Sequence, residues 1–213
     1  MNIILLAPPA AGKGTQAQFL VSKYHMKHIS TGELLRKSLK QDDEISKEIK
    51  ERMNAGRLVS DEIILDLIAK EIETAKEGVV LDGFPRNRVQ AIEYEQLLQK
   101  LGQKLDVVLY LSISKEVAKK RMKGRRTCPT CGKIYNMHME EMLEELCGSC
   151  HTSLVSREDD NEETFDLRYE TYMRETDPLI SFYQEKGLLK QIDASKEKEE
   201  VFKKIEQILS TLS

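Results

Sequence analysis

Ile3-Ile4-Leu5-Leu6-Ala7-Pro8-Pro9-Ala10-Ala11-Gly12-Lys13-Gly14-Thr15-Gln16 is the stretch on which the fold turns. Ile3 to Ala7 is a near-continuous apolar run and reads as a buried strand. Small residues interrupt it, and a helical pattern opens at Lys13. A strand, a loop of small residues and a helix start form the setting in which a phosphate-binding loop works. Loop N–H groups and the helix N-terminus point at phosphate oxygens, and the helix dipole favours their charge. Lys13 would reach the phosphates as a point charge. The strict pattern G-x-x-x-x-G-K-[ST] is broken twice, by Ala7 at its first glycine and Gly14 at its last position. Thr15 offers a hydroxyl one residue later. An ordinary small-residue turn before a helix is the alternative reading.

Outward from this stretch, short apolar runs alternate with helical spacing. Val79–Leu81, Leu105–Leu111 and a weaker Leu188–Ile192 read as further strands. Ile63, Leu67, Ile68 and Ile72, then Val89, Ile92 and Leu97, recur at helical spacing. Strands rich in Val, Ile and Leu predict a parallel sheet covered on both faces. Strand–helix alternation makes the fold α/β with right-handed crossovers. Residues 30–60 hold helix-like pieces without a buried strand and read as a helical insert. Residues 124–161 hold all four cysteines and read as a second insert. The core is then 1–29, 61–123 and 162–213. Val201, Ile205, Ile208 and Leu212 mark a C-terminal amphipathic helix.

Bulk properties bound the function classes. The chain has 213 residues, 40% hydrophobic and 32% charged, with a net charge of −3. That balance argues against a nucleic-acid partner, including a zinc-ribbon module of that kind. No apolar run reaches the roughly 20 residues of a membrane span, and the start lacks a basic signal-peptide region. A cytoplasmic location is expected.

Cys128-Pro129-Thr130-Cys131 and Cys147-Gly148-Ser149-Cys150 form two C-x2-C pairs with fifteen residues between them. Each pair makes a tight knuckle, and four thiolates close a tetrahedral Zn²⁺ site with no open position. The metal is therefore expected to be structural. His138 and His151 could compete as ligands, but the cysteines already complete the set. A small segment with so few apolar positions needs such a staple. The Met137–Leu146 stretch between the pairs reads as helical, and its methionines as packing.

Gly12-Lys13-Gly14-Thr15-Gln16, Ser30-Thr31-Gly32-Glu33-Leu34-Leu35-Arg36 and Leu81-Asp82-Gly83-Phe84-Pro85-Arg86 occur in this order. Together they resemble the nucleoside monophosphate kinases. Gly124-Arg125-Arg126, the cysteine pairs, then Arg157-Glu158-Asp159-Asp160 and Arg168 narrow the resemblance to the long-lid adenylate kinases with a zinc lid. It covers essentially the whole chain. It implies a P-loop three-layer fold with a parallel sheet, a helical NMP-binding insert and a zinc-bound lid. It implies reversible transfer of a phosphoryl group from ATP to AMP, giving two ADP, with Mg²⁺ on ATP. A monomer is the family expectation.

The chemistry of such a reaction calls for arginines. Two phosphorylated nucleotides meet head to head, and the acceptor oxygen is already anionic, so no general base is required. Positioning and charge stabilisation remain, and arginine grips phosphate with a permanently charged fork. The resemblance assigns Arg36 and Arg86 to the AMP phosphate, with Gly83 beside them. Arg125, Arg157 and Arg168 match those that surround the transferring phosphates, and Arg157 and Arg168 also count toward AMP. Arg121 matches an arginine against the ATP base. Ala10, Ala11, Gly12, Lys13, Gly14 and Thr15 form the ATP loop. Asp82 matches an acid that holds Mg²⁺ through water, and Thr31 and Gln90 match residues facing the AMP adenine. Each also has a plain reading: Arg36 pairing with a surface acid, Asp82 as a turn residue, Gln90 as an exposed helix position. Arg52 and Arg174 match no motif and read as surface.

Two rivals are kept. One is a UMP or CMP kinase, which the long lid and Thr31 oppose. The other is a nucleotide-binding protein with weakened catalysis, suggested by the altered loop. Ala7 and Ala10 stand where the family usually has glycine, so weaker ATP binding or slower transfer than in a glycine-containing relative is expected.

Overall fold

The computed structural model describes residues 1–39, 44–54, 59–75, 77–138, 145–157 and 159–212, with residues 44, 45, 53 and 54 by backbone only. The elements run β1 (Asn2–Leu6), α1 (Lys13–Tyr24), β2 (Lys27–Ser30), α2 (Thr31–Ser38), α3 (Glu44–Asn54), α4 (Asp61–Glu73), β3 (Val79–Asp82) and α5 (Arg88–Lys100). They continue as β4 (Val107–Ser112), α6 (Lys115–Gly124), β5 (Arg125–Thr127), β6 (Ile134–Asn136), α7 (Glu162–Thr171), a π-helical turn (Tyr172–Thr176), α8 (Pro178–Glu185), β7 (Leu189–Asp193) and α9 (Lys198–Leu209).

Five strands form one parallel sheet in the order β2-β3-β1-β4-β7. The expected three-layer α/β architecture is what forms, and side-chain alternation along β1 explains it. Ile4 and Leu6 face one core with Leu81, Val108, Ile68 of α4, Tyr94 of α5 and Tyr183 of α8. Ile3 and Leu5 face the other with Val80, Leu109, Leu20 of α1 and Ile205 of α9. A strand buried on both faces must be apolar at every position, and β1 is buried throughout.

Within the five-stranded sheet, one strand has no counterpart in the sequence reading. β2 has the sequence Lys-His-Ile-Ser and carries a single fully buried residue, Ile29. As an edge strand of four residues it needs only that anchor, so no apolar run announces it. The helical insert is not a separate hydrophobic unit, because Leu35, Ile49 and Val59 bury into the same core as β1 and β3.

The second insert is built differently. β5 and β6 pair antiparallel, and isolated bridges join Thr127 to Val155 and Leu146 to Ser153. Among the described residues, its apolar centre consists of Cys128, Tyr135, Cys147 and Leu154, with Cys150 against them. The helical reading of Met137–Leu146 falls mostly on residues 139–144, outside the described residues. Among the described residues, no helix is long and apolar enough to cross a membrane.

Candidate active site

At the C-terminal ends of β1 and β3 the sheet opens into a cleft lined by the loop 7–12, the start of α1, Asp82 to Arg86 and lid residues Arg125, Ile134 and Arg157. Crevices at these strand ends are the ligand sites of parallel sheets. The loop turns sharply, with Ala10 at φ 60 and Gly12 at φ 95. Ala7, by contrast, is buried and stays out of the left-handed region. Lys13 Nζ donates to the carbonyls of Ala7 at 2.9 Å and Pro8 at 3.1 Å. Burial, followed by repulsion from Arg86, Arg168 and Arg125, pushes the Lys13 ammonium down to about 8 although Asp82 opposes this.

Gly14 has a tertiary reason. A Cβ there would lie 3.3 Å from Ile134 Cδ1 of the lid and 3.8 Å from Asp82 Oδ2. The hydroxyl that the strict motif places at this position would sit beneath the lid. Thr15 also lines the cleft.

Asp82 ends β3. Burial alone would raise its carboxyl, but His28, Lys13 and Arg86 hold it below the usual carboxylate range. His28 Nε2 lies 3.7 Å from Asp82 Oδ2 and finds no hydrogen-bond partner. His28 comes from the unannounced strand β2, so the sequence carried no signal for it.

Behind Asp82 the chain turns through Gly83, at φ 82, and a cis Phe84–Pro85 bond. A side chain at Gly83 would meet Thr31 Oγ1 at 2.7 Å, so both backbone angle and space require glycine. Gly83 O accepts from Thr31 Oγ1 at 2.9 Å and from Arg86 Nε at 2.8 Å. Gln90 Oε1 accepts from Arg86 N at 2.7 Å, and Gln90 Nε2 donates to Asp61 Oδ1 at 2.6 Å. Thr31 and Gln90 are thus both buried, contrary to the reading of Gln90 as an exposed position. They brace the Arg86 turn from behind, and Thr176 of the π-helical turn adds a hydrogen bond to Arg86 O.

Around this turn the arginines converge. Burial, then Arg168 and Arg36, push the Arg86 guanidinium down to about 10. Arg157 is likewise pushed to about 10 by burial, Arg125 and Arg36. Arg168 is lowered first by burial. Acids partly answer this charge. Arg125 makes a two-pronged pair with the buried carboxylate of Asp160, with Nε 2.7 Å from Oδ2. Arg168 Nη1 donates to Asp159 at 2.8 Å, and Arg157 Nε to Thr127 Oγ1 at 3.3 Å. Arg36 folds over Gly32. Arg121 lies at the far end of the cleft, donating to the carbonyls of Ala194, Ser195 and Lys196. Burial lowers it as well. Arg52 and Arg174 pair with Glu48 and Glu175 on the surface, as expected.

The cysteines converge too. Their four sulfurs all lie within 4.8 Å of one another. The two knuckles repeat the same backbone bonds: Gly132 N donates to Cys128 O and His151 N to Cys147 O, while Cys128 N and Cys147 N donate to Lys133 O and Thr152 O. Gly132 and His151 both take φ > 0 to close the turn. A tetrahedral zinc with bonds of about 2.3 Å separates its sulfurs by about 3.8 Å. Cys131 and Cys147 are already 3.7 Å apart, so the donor set fits that ion. Neither His138 nor His151 joins the cluster among the described residues. Tyr135, 3.3 Å from Cys147 Sγ, also accepts from Gly148 N and so braces one knuckle.

Comparison with known proteins agrees over the whole length. The family model described as adenylate kinase matches residues 5–188. The chain is 40% identical to an adenylate kinase of Archaeoglobus fulgidus, covering 100% of this chain and 99% of that one. It is 40% identical to one of Clostridium tetani over all of both chains. A third, from Kosmotoga olearia, is 41% identical over 98% of this chain and 100% of its own.

Proposed function

We propose that this chain, which belongs to the adenylate kinase family, moves a phosphoryl group reversibly between MgATP and AMP in the arginine-lined cleft. The observation that carries the reading is the convergence of Lys13, Arg86, Arg157 and Arg168 on one cleft, each with a lowered proton affinity. Like charges crowded together in a partly dry site are costly alone and become favourable when polyanions arrive.

In this reading the loop 10–15 cradles the ATP phosphates, and Lys13 leaves its own carbonyls to meet them. Arg36 and Arg86 hold the AMP phosphate, with Gly83 allowing its close approach. Arg125, Arg157 and Arg168 exchange their acidic or hydroxyl partners for the phosphates in flight. Arg121 lies against the ATP base. Thr31 and Gln90 face the AMP adenine; Gln90 keeps one amide hydrogen and one lone pair for it. No base need remove a proton, because the attacking oxygen of AMP is already ionised.

Asp82 would hold Mg²⁺ through water, with the Thr15 hydroxyl in the same cleft as a further oxygen donor, and the ion would neutralise charge between the phosphates. Cys128, Cys131, Cys147 and Cys150 would hold Zn²⁺ as a structural staple with no free coordination position. The inserts 30–60 and 124–161 then act as moving parts on the core of 1–29, 61–123 and 162–213. A closed lid keeps water from taking the phosphoryl group.

A coupled assay for ADP formed from ATP and AMP tests this. AMP is expected to be preferred by a wide margin over UMP and CMP, with an absolute need for Mg²⁺. Comparable turnover of UMP or CMP would overturn the substrate, and no ADP at all would overturn the activity.

A further inference from the structure

Among the described residues of the phosphate loop, Ala10 alone has a side chain and a left-handed backbone, with φ 60. An L residue in that region brings its Cβ toward the following carbonyl, which glycine avoids. Strained backbone persists where surrounding structure holds it. Here the surroundings are specific. Ala10 packs against a small apolar cluster of Ala118, Met122 and Phe165, separate from the two cores that cover the sheet.

That cluster sits at the root of the lid. Ala118 and Met122 belong to α6, which runs directly into lid strand β5. Phe165 belongs to α7, which begins where the lid ends, at the Asn161 cap. Outside the cluster, Lys115 pairs with Asp166, Lys119 with Glu162 and Asp166, and Lys123 with Glu162, so the two helices are laced together. A lid that pivots on these helices must pivot about the cluster, and the phosphate loop touches the cluster through the Ala10 methyl.

We propose that Ala10 is a positioning residue that couples occupancy of the phosphate loop to lid closure. The methyl acts as a wedge between the loop and the α6–α7 root, so each biases the other. Coupling of this kind is reciprocal: phosphates in the loop favour the closed lid, and a closed lid tightens the grip on phosphates. The proposal rests on the phosphoryl-transfer reading above.

The test uses the full-length zinc-loaded chain with one dye on the lid knuckles and one on α9, so that energy transfer reports closure. Ala10→Gly removes both strain and wedge, and Ala10→Ser keeps a Cβ. At saturating ATP, the closed-to-open ratio is expected to fall about fivefold or more in Ala10→Gly and to stay near the parent in Ala10→Ser. Because the coupling is reciprocal, inorganic tripolyphosphate, which fills the loop without a base, should bind more weakly in Ala10→Gly than in the parent, and unchanged or tighter binding would overturn the wedge. Met122→Ala should cost less closure in the Ala10→Gly background than alone, as coupled neighbours do. Parent-like closure in Ala10→Gly, additive effects with Met122→Ala, or closure lost equally in Ala10→Ser would each overturn the wedge. A parent chain that makes no ADP would instead fail the activity itself.

Discussion

The sheet and the lid solve one problem, holding charged groups in place, by different physics. The sheet is covered on both faces, and Ile3, Ile4, Val80, Val108 and Leu109 are all fully buried. Such a core stands on apolar area alone. Among the described residues, the lid gathers two apolar side chains, Tyr135 and Leu154, around its cysteines. A unit that small cannot fold on burial and needs a cross-link. The site draws on both regions. Lys13, Asp82, Arg86 and Arg168 project from the core, Arg36 from the helical insert, and Arg125 and Arg157 from the lid. One set stands on packed elements, and the other on a small unit gathered around four convergent cysteines.

The contrast can be broken hardest on the packed side. Arg86→Ala is expected to lower kcat/KM by about 100-fold or more, as loss of a charge-stabilising donor does. Its melting temperature should change little, because relief of burial and of repulsion from Arg168 and Arg36 offsets the lost contacts with Asp82 and the Gly83 carbonyl. Steady-state kinetics beside a thermal melt check both halves. Near-normal activity would remove Arg86 from the site.

The lid should fail in a different manner. Cys147→Ala with Cys150→Ala is expected to lose one zinc per chain by elemental analysis and to lower activity about tenfold, since Arg125 and Arg157 are no longer delivered. The sheet should keep its circular dichroism. Zinc retained in the variant, or a global collapse of the sheet, would erase the distinction between the two regions.

The smallest expected effect sharpens the electrostatics of the packed side. With Lys13 pushed down to about 8 from 10.5, the unfolded chain binds more protons than the folded chain between those values. The contribution of Lys13 to stability therefore rises with pH across that window, and its burial cost is fully present below it. Phosphates should raise the depressed value again. Binding of MgATP at about pH 8.5 is thus expected to take up a fraction of a proton, and at about pH 6.5 Lys13 should take up none. Calorimetry in buffers of different ionisation heat measures this. Equal uptake at both pH values would mean that Lys13 is not depressed in the free protein.

Much of this site was legible beforehand. The strands β1, β3, β4 and β7, the loop before Lys13 and the paired cysteines are local patterns, written in adjacent residues. What escaped was relational. The sequence shows Asp159 and Asp160 only as part of a motif, yet they pair with Arg168 and Arg125. The motifs place Thr31 and Gln90 facing a ligand, and the structure adds that they brace the Arg86 turn.

By itself the sequence determined the alternation that makes a parallel sheet, the phosphate loop, the order of the arginine motifs and the four-thiolate set. Periodicity and short-range spacing carry such information, because each depends on residues within a turn or a strand of one another. Only the tertiary structure decided that His28 stands beside Asp82 from an edge strand, that Ile134 of the lid lies over Gly14, and that Ala10 is bent left-handed against the root of the lid. These are contacts between segments far apart in the chain. Their existence depends on how the layers pack, and no local pattern of residue types encodes that.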